Sequence, residues 1–230
     1  MEPSGKSPII LGMFAKHPDH VAVKTRLART IGRDQAHQVA QILNQFLLRK
    51  LGGAPIYWEI VAWPPESIDS FRSEAGDAWK VVPQSDGDLG DRMSNWFHAA
   101  FGAGNQCAIA IGADCPFVET GHIQQAAKLL KEGNDLVLGP AEDGGYWLVG
   151  MSRRPDSLFS NIEWGTAHVL EATVRNAKAA GWKTAFLERL RDIDELDDLT
   201  IAIDQLSRSD DPELSELSKQ LSTIVSVVKS

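Results

Sequence analysis

The chain has 230 residues, enough to bury a substantial core within one domain and too few for two comfortable ones. Hydrophobic residues make up 43% and charged residues 23%, which excludes a disordered composition, and a formal net charge of -8 argues against nucleic acid as a partner. No apolar run approaches the ~20 residues of a bilayer span, and Ile9–Ala15, preceded by a single lysine, lacks a signal-peptide layout, so a cytoplasmic protein without membrane insertion is expected.

In chain order, short strand-like runs alternate with amphipathic helical stretches, which predicts a three-layer α/β/α fold around a central mixed, mostly parallel sheet. The first strand is Ile9–Ala15, followed by a polar loop carrying Pro18. Ala36, Val39, Leu43, Phe46 and Leu47 share one face of a helix over Asp34–Lys50, stopped by Gly52-Gly53. Tyr57–Trp63 is the second strand; residues 66–85 read as a short helix, a strand near Lys80–Val82 and a turn. A helix over Leu89–Phe101 precedes a compact apolar strand, Cys107–Gly112. The next helix takes Thr120 as N-cap and stops at Gly133. Leu136–Gly139 and Tyr146–Met151 are strands flanking the Asp143-Gly144-Gly145 loop. A helix from about Thr166 to Ala180, a strand Thr184–Leu187 and a helix over 195–207 complete the set. Residues 1–230 are read as one domain with its core at about 9–208 and a peripheral tail helix after Ser209.

Five segments carry chemistry. Lys16-His17-Pro18 and Lys24-Thr25-Arg26-Leu27 follow the first strand, where open α/β sheets place their ligand, and three cations suit a di- or triphosphate. Thr25 opens a short helix whose N-terminus favours anions; solvated surface charge is the plainer reading. In Gln84-Ser85-Asp86-Gly87-Asp88-Leu89-Gly90-Asp91-Arg92, Gly87 and Gly90 let backbone approach a ligand. Gln84 offers an amide edge to a base and Arg92 reaches phosphate, whereas aspartate capping of a helix explains the segment without a ligand. Asp114, in Gly112-Ala113-Asp114-Cys115-Pro116, ends a buried strand and needs a partner, for which a hard cation such as Mg2+ suits oxygen ligands. Gly139-Pro140-Ala141-Glu142-Asp143-Gly144-Gly145-Tyr146 is either a turn that meets a substrate or an ordinary hairpin. In Asp192-Ile193-Asp194-Glu195-Leu196-Asp197-Asp198, alternation sends Asp192 and Asp194 to one side, while Asp197 and Asp198 serve the following helix. The cysteines, Cys107 and Cys115, form no CxxC pair and read as reduced thiols.

Taken together and in order, the pattern K-x-P…KTRL, Q…GDLG-x-R-M, GxDCP, GPxxDGGYxLxG and D-x-D…DL resembles small glycosyltransferase-A-like transferases of unassigned substrate, often found beside radical-SAM and selenium-linked genes. More distantly it is similar to 2-phospholactate guanylyltransferases, and Gly112–Pro116 to the acid-Pro segment of molybdenum-cofactor guanylyltransferases. The resemblance, running from about Ile9 to Leu199, implies a nucleotide-diphospho-sugar transferase fold. It implies that Lys16, Lys24 and Arg26 bind phosphates, that Asp114 and Asp194 hold Mg2+ or Mn2+, and that Asp143, Gly144 and Gly145 border the acceptor. The same resemblance implies that Tyr146, and Trp164 and Thr166 of the Trp164-Gly165-Thr166 segment, line that acceptor pocket. This chain has Val21 where the family loop usually has glycine, and Glu195-Leu196-Asp197 where Thr-Pro-Glu is usual.

The expectation is therefore a metal-dependent transferase that binds a nucleoside triphosphate or nucleotide sugar and passes a nucleotidyl group to a small phosphorylated acceptor, with Lys24, Asp114 and Asp143 as catalytic residues. The single acid in Gly112–Pro116 favours nucleotidyl over glycosyl transfer, the alternative. A non-catalytic nucleotide-binding module is a second alternative, raised by Val21 and Glu195-Leu196.

Overall fold

In the computed structural model, which describes residues 9–52 and 57–228, the two-residue alternation of β1 (Ile9–Lys16) sorts its side chains onto two faces. Ile9, Leu11, Met13 and Ala15 enter one apolar cluster and Ile10 a second. β4 (Cys107–Gly112) divides the same way, with Cys107, Ile109 and Ile111 on the first face and Ala108 and Ala110 on the other. Small residues on that second face leave room for Trp96 and Phe97 of α4 (Leu89–Gly102), and full burial of the Phe97 ring contributes about 2–3 kcal/mol.

The other strands are β2 (Tyr57–Trp63), β3 (Lys80–Pro83), β5 (Leu136–Pro140), β6 (Tyr146–Met151) and β7 (Thr184–Phe186). They form a seven-stranded sheet in the order β3-β2-β1-β4-β6-β5-β7. β6 runs antiparallel to both neighbours and the remaining pairings are parallel, so the sheet is mixed and mostly parallel. α1 (Thr25–Ile31), α2 (Arg33–Leu51), α3 (Ile68–Ala75), α5 (Thr120–Lys131), α7 (Leu196–Ser207) and α8 (Pro212–Val228) pack into the first cluster; α4 and α6 (Val169–Ala179) cover the opposite face. This is the three-layer α/β/α arrangement. Among the described residues no helix is long and apolar enough to cross a membrane.

Several boundaries differ from expectation. Gly52 does follow α2, while Gly53 lies outside the described residues. α5 takes Glu119, not Thr120, as its N-cap, because the Glu119 amide donates to His122 Nδ1 at 3.1 Å. α6 starts at Val169, since the Thr166 hydroxyl donates to the Glu163 carbonyl and holds a turn before it. The tail is a correction of another kind. α8 is not peripheral: Leu214, Leu217, Leu221 and Ile224, spaced to share one face, enter the first apolar cluster beside α7 and α2.

The order of the sheet positions the site. β1 has β2 on one side and β4, reached later in the chain, on the other. Connections therefore diverge at the carboxyl ends of β1 and β4, where an open α/β sheet leaves a crevice.

Candidate functional site

That crevice is a cleft of about 580 Å3. Lys16 from the end of β1 borders it, with Lys24, Thr25 and Arg26 from the start of α1, Gln84, Gly87, Asp88 and Arg92 from the turn after β3, and Asp114 and Asp194. Residues separated by most of the chain thus share one pocket. Lys16 is exposed and has no ion-pair partner among the described residues; Arg26 donates to the Gly165 carbonyl at 3.3 Å. Asn44, which the motifs did not single out, is buried in α2 and donates to the Lys16 carbonyl at 3.1 Å, fixing the strand end.

Lys24 is the central cation. Its backbone takes the left-handed conformation (φ 47°), uncommon for a non-glycine, and its side chain is 3% exposed. Its ammonium donates to Asp114 Oδ1 and, at 2.7 Å, to the Ile193 carbonyl, with Asp194 Oδ1 at 3.9 Å. The Ile193 amide in turn donates to the Asp114 carbonyl at 3.0 Å, which draws the 192–194 segment alongside the end of β4. Ile193 points into the core and its neighbours point the other way, as alternation requires.

The carboxylates are crowded. Burial and the charges of Asp114 and Asp194 push Asp192 up to about 8; burial and the Asp114 charge likewise raise Asp194. Asp143 adds to the repulsion on both. Negative charge held this close by one lysine is a setting a hard divalent cation fits, and the oxygen donors of Asp114 and Asp194 are of the right chemistry. Among the described residues no group of three or more His, Cys, Asp or Glu is arranged to hold a metal by itself. Two carboxylates suit Mg2+, which is commonly held by one or two of them together with substrate phosphates.

The turn before α4 is only partly a ligand surface. Asp88 and Asp91 form a reciprocal cap, each accepting the other's amide at 2.9 and 3.2 Å, so the Asp88 carboxylate serves the helix rather than a nucleotide. Gly90 does not line the cleft: a Cβ there would come within 2.7 Å of the Trp164 indole nitrogen, so its smallness accommodates Trp164. Arg92 stacks on Trp63, 3.6 Å from its centroid, and donates to the Gly87 carbonyl at 3.0 Å and to Gln84 Oε1 at 3.4 Å. Gln84 is buried and donates to the Val61 carbonyl at 2.8 Å, so its amide is held in one orientation beside the cleft.

Of the residues expected at the acceptor side, Gly165 lines the cleft, whereas Asp143, Gly144, Gly145, Tyr146, Trp164 and Thr166 are not among its lining residues. The 141–145 loop is a hairpin between β5 and β6, in which the Gly145 amide donates to Asp143 Oδ1 at 2.8 Å. Gly144 (φ 90°) lies against the 165–170 segment, where a Cβ would approach the Ala167 carbonyl to 2.2 Å. Tyr146 packs on the second apolar cluster, and burial of its hydroxyl raises its pKa, against a smaller lowering by Thr173. Trp164 packs on the same cluster, and Thr166 is spent on its turn. Of this set, Asp143 alone is felt by the carboxylates of the site.

Arg191 is a residue that the motifs do not single out. It pairs with Glu142 of the hairpin and, at 2.9 Å, with Asp198, whose other oxygen accepts the Asp194 and Glu195 amides at 3.2 and 3.0 Å. It therefore ties the hairpin to the segment that carries Asp194. The one signal in the sequence is a lone arginine beside an acidic run, Asp192–Asp198.

This α/β fold matches that of nucleotide-diphospho-sugar transferase structures. A protein from Desulfovibrio desulfuricans G20, provisionally described as a nucleotide-diphospho-sugar transferase, matches with a TM-score of 0.85 and 27% identity over 96% of this chain and 98% of its own. A cytidylyltransferase from Leptospira borgpetersenii shares the fold (TM-score 0.58, 14% identity, 97% and 98% covered), as does the inositol-1-phosphate CTP transferase from T. maritima (0.52, 13%, 94% and 97%). Comparison with curated proteins finds no match. Residues 47–166 match the family described as an uncharacterized protein conserved in bacteria (DUF2064), and the chain belongs to that family.

Proposed function

We propose that the protein is a metal-dependent transferase that binds a nucleoside triphosphate in the cleft and passes its nucleotidyl group to a small acceptor. The observation that carries this reading is the convergence of Lys16, Lys24 and Arg26 with Asp114 and Asp194 on one cleft at the divergence of β1 and β4. Charge-assisted donors of this kind hold phosphates, and fixed positions supply much of the acceleration in phosphoryl-type transfers. Asp114 and Asp194 would hold Mg2+ or Mn2+, which would offset charge on the polyphosphate. Lys16 and Arg26 bind phosphate oxygens, Gln84 presents its remaining amide donor to the base, and Lys24 keeps the two carboxylates together.

Glycosyl transfer from a nucleotide sugar is the second reading, favoured by the description of the Desulfovibrio protein. The two differ in product: nucleotidyl transfer releases pyrophosphate and glycosyl transfer releases a nucleoside diphosphate. Calorimetric titration of the four nucleoside triphosphates and common nucleotide sugars, with and without Mg2+, tests both. Mg2+-dependent binding of a triphosphate in preference to nucleotide sugars is expected. Failure of every nucleotide to bind would eliminate both readings.

A further inference from the structure

The loop between β1 and α1 also borders a second, larger space. Together with α1 and the start of α2 it walls a cavity of about 970 Å3, and Val23 and Thr25 line both this cavity and the cleft. Part of its lining is apolar, including Val21 and Ala28, and part is basic, from Arg29 and Arg33; Arg29 also lines a smaller neighbouring pocket with Glu195 and Asp197. Among the described residues neither arginine has a carboxylate within 4 Å, although the chain carries a net charge of -8. The acids of the lining leave them so: Asp19 is held by His37 at 2.6 Å, and Asp34 forms no ion pair with either arginine. Two arginines without a carboxylate partner on one cavity suit phosphate in chemistry, since its oxygens take parallel N–H donors from a planar fork.

We propose that this cavity is the acceptor subsite and that it takes a small phosphomonoester, its phosphate on Arg29 and Arg33, its apolar body on Val21 and Ala28, and its other end at Thr25, where the cavity meets the cleft. This rests on the transferase reading and places the acceptor against α1 and the start of α2, in a cavity that the β5–β6 hairpin does not line.

Phenyl phosphate is the probe, titrated into the full chain and followed by 31P NMR in the presence and absence of the nucleotide the protein prefers, with benzoate as the carboxylate comparison. The expected result is binding to the wild type whether or not nucleotide is present, weakened about tenfold or more in Arg29→Gln/Arg33→Gln and largely retained in Arg29→Lys/Arg33→Lys. Neither arginine is buried, so the melting temperature should not move, and nucleotide affinity should be unaltered. Equal phenyl phosphate affinity in the wild type and the Gln variant, competition between phenyl phosphate and nucleotide, benzoate binding as tightly as phenyl phosphate, or no binding to the wild type would each overturn the assignment. If no nucleotide binds to the wild type, the transferase reading is what has failed, and the arginine dependence of phenyl phosphate binding is still read separately.

Discussion

The turn before α4 and the turn between β5 and β6 both set glycines beside aspartates, yet Gly87 and Asp88 line the cleft while Asp143, Gly144 and Gly145 form a hairpin turn that does not. The difference lies in the element that each turn leads into. After Gly87 the chain enters α4 at the end of a parallel strand pair, beside the crevice. After Gly145 it enters β6, the antiparallel strand, so the turn closes a ladder. Glycine beside acid marks a tight backbone path; the partner strand decides whether a ligand can reach it.

The comparison is broken most directly at the carboxylates. Asp114→Asn should lower turnover by at least about 10^2-fold and weaken Mg2+-dependent nucleotide binding, since it removes a charge from the cleft itself. Asp197, on the first turn of α7 and outside the cleft, should cost less than about twofold when changed to Asn. Similar losses at both positions, measured by steady-state kinetics on the preferred donor, would remove the distinction between site and helix cap.

Much of this could be read from the residues alone, for identifiable reasons. Strand periodicity placed the elements because both faces of the sheet are covered, and the Lys24–Asp114 convergence followed from where open sheets bind ligands. The placement of Tyr146 and Trp164 was less legible. Asp-Gly-Gly is equally a hairpin and a substrate loop, and the packing of Tyr146 beside Thr173 and of Trp164 against Gly90 and Phe159 depends on residues distant in the chain or in other elements. The packing of α8 is harder to read from composition, because polar and apolar residues are nearly balanced in the segment and only the spacing of Leu214, Leu217, Leu221 and Ile224 marks the contact.

On the hairpin side, stability rather than catalysis should respond. Gly144→Ala combines a left-handed φ with a Cβ 2.2 Å from the Ala167 carbonyl, a contact with backbone that cannot simply rotate away. A loss of about 2–4 kcal/mol in urea unfolding is expected. A change under about 0.5 kcal/mol would mean that the hairpin and the 165–170 segment do not pack as described.

Arg191 spans the two regions and should give an intermediate result. Arg191→Ala leaves the Glu142 and Asp198 carboxylates without their shared cation, at an expected cost of about 1–2 kcal/mol because the group is only partly screened by solvent. Asp198 also caps the Asp194 segment, so nucleotide affinity should fall together with stability. Arg191→Lys keeps charge but not the fork and should recover less than half of either loss. Unchanged nucleotide binding in Arg191→Ala, with stability reduced, would confine this residue to the scaffold.

The smallest effect, and the finest test, lies at Gly90. Alanine is favoured over glycine inside a helix by about 0.5–1 kcal/mol, so Gly90→Ala on an open face of α4 would stabilise the protein. Here the added methyl would instead meet the Trp164 indole at 2.7 Å, and because that ring is only partly buried it can yield, leaving a net loss of about 1 kcal/mol. Introduced into a Trp164→Ala background, the same substitution should become neutral or favourable. A coupling of about 1–2 kcal/mol in that double-mutant cycle would show that this glycine is small for the sake of Trp164. Additive effects would return Gly90 to the nucleotide side, where its backbone would again need an explanation in terms of a bound ligand.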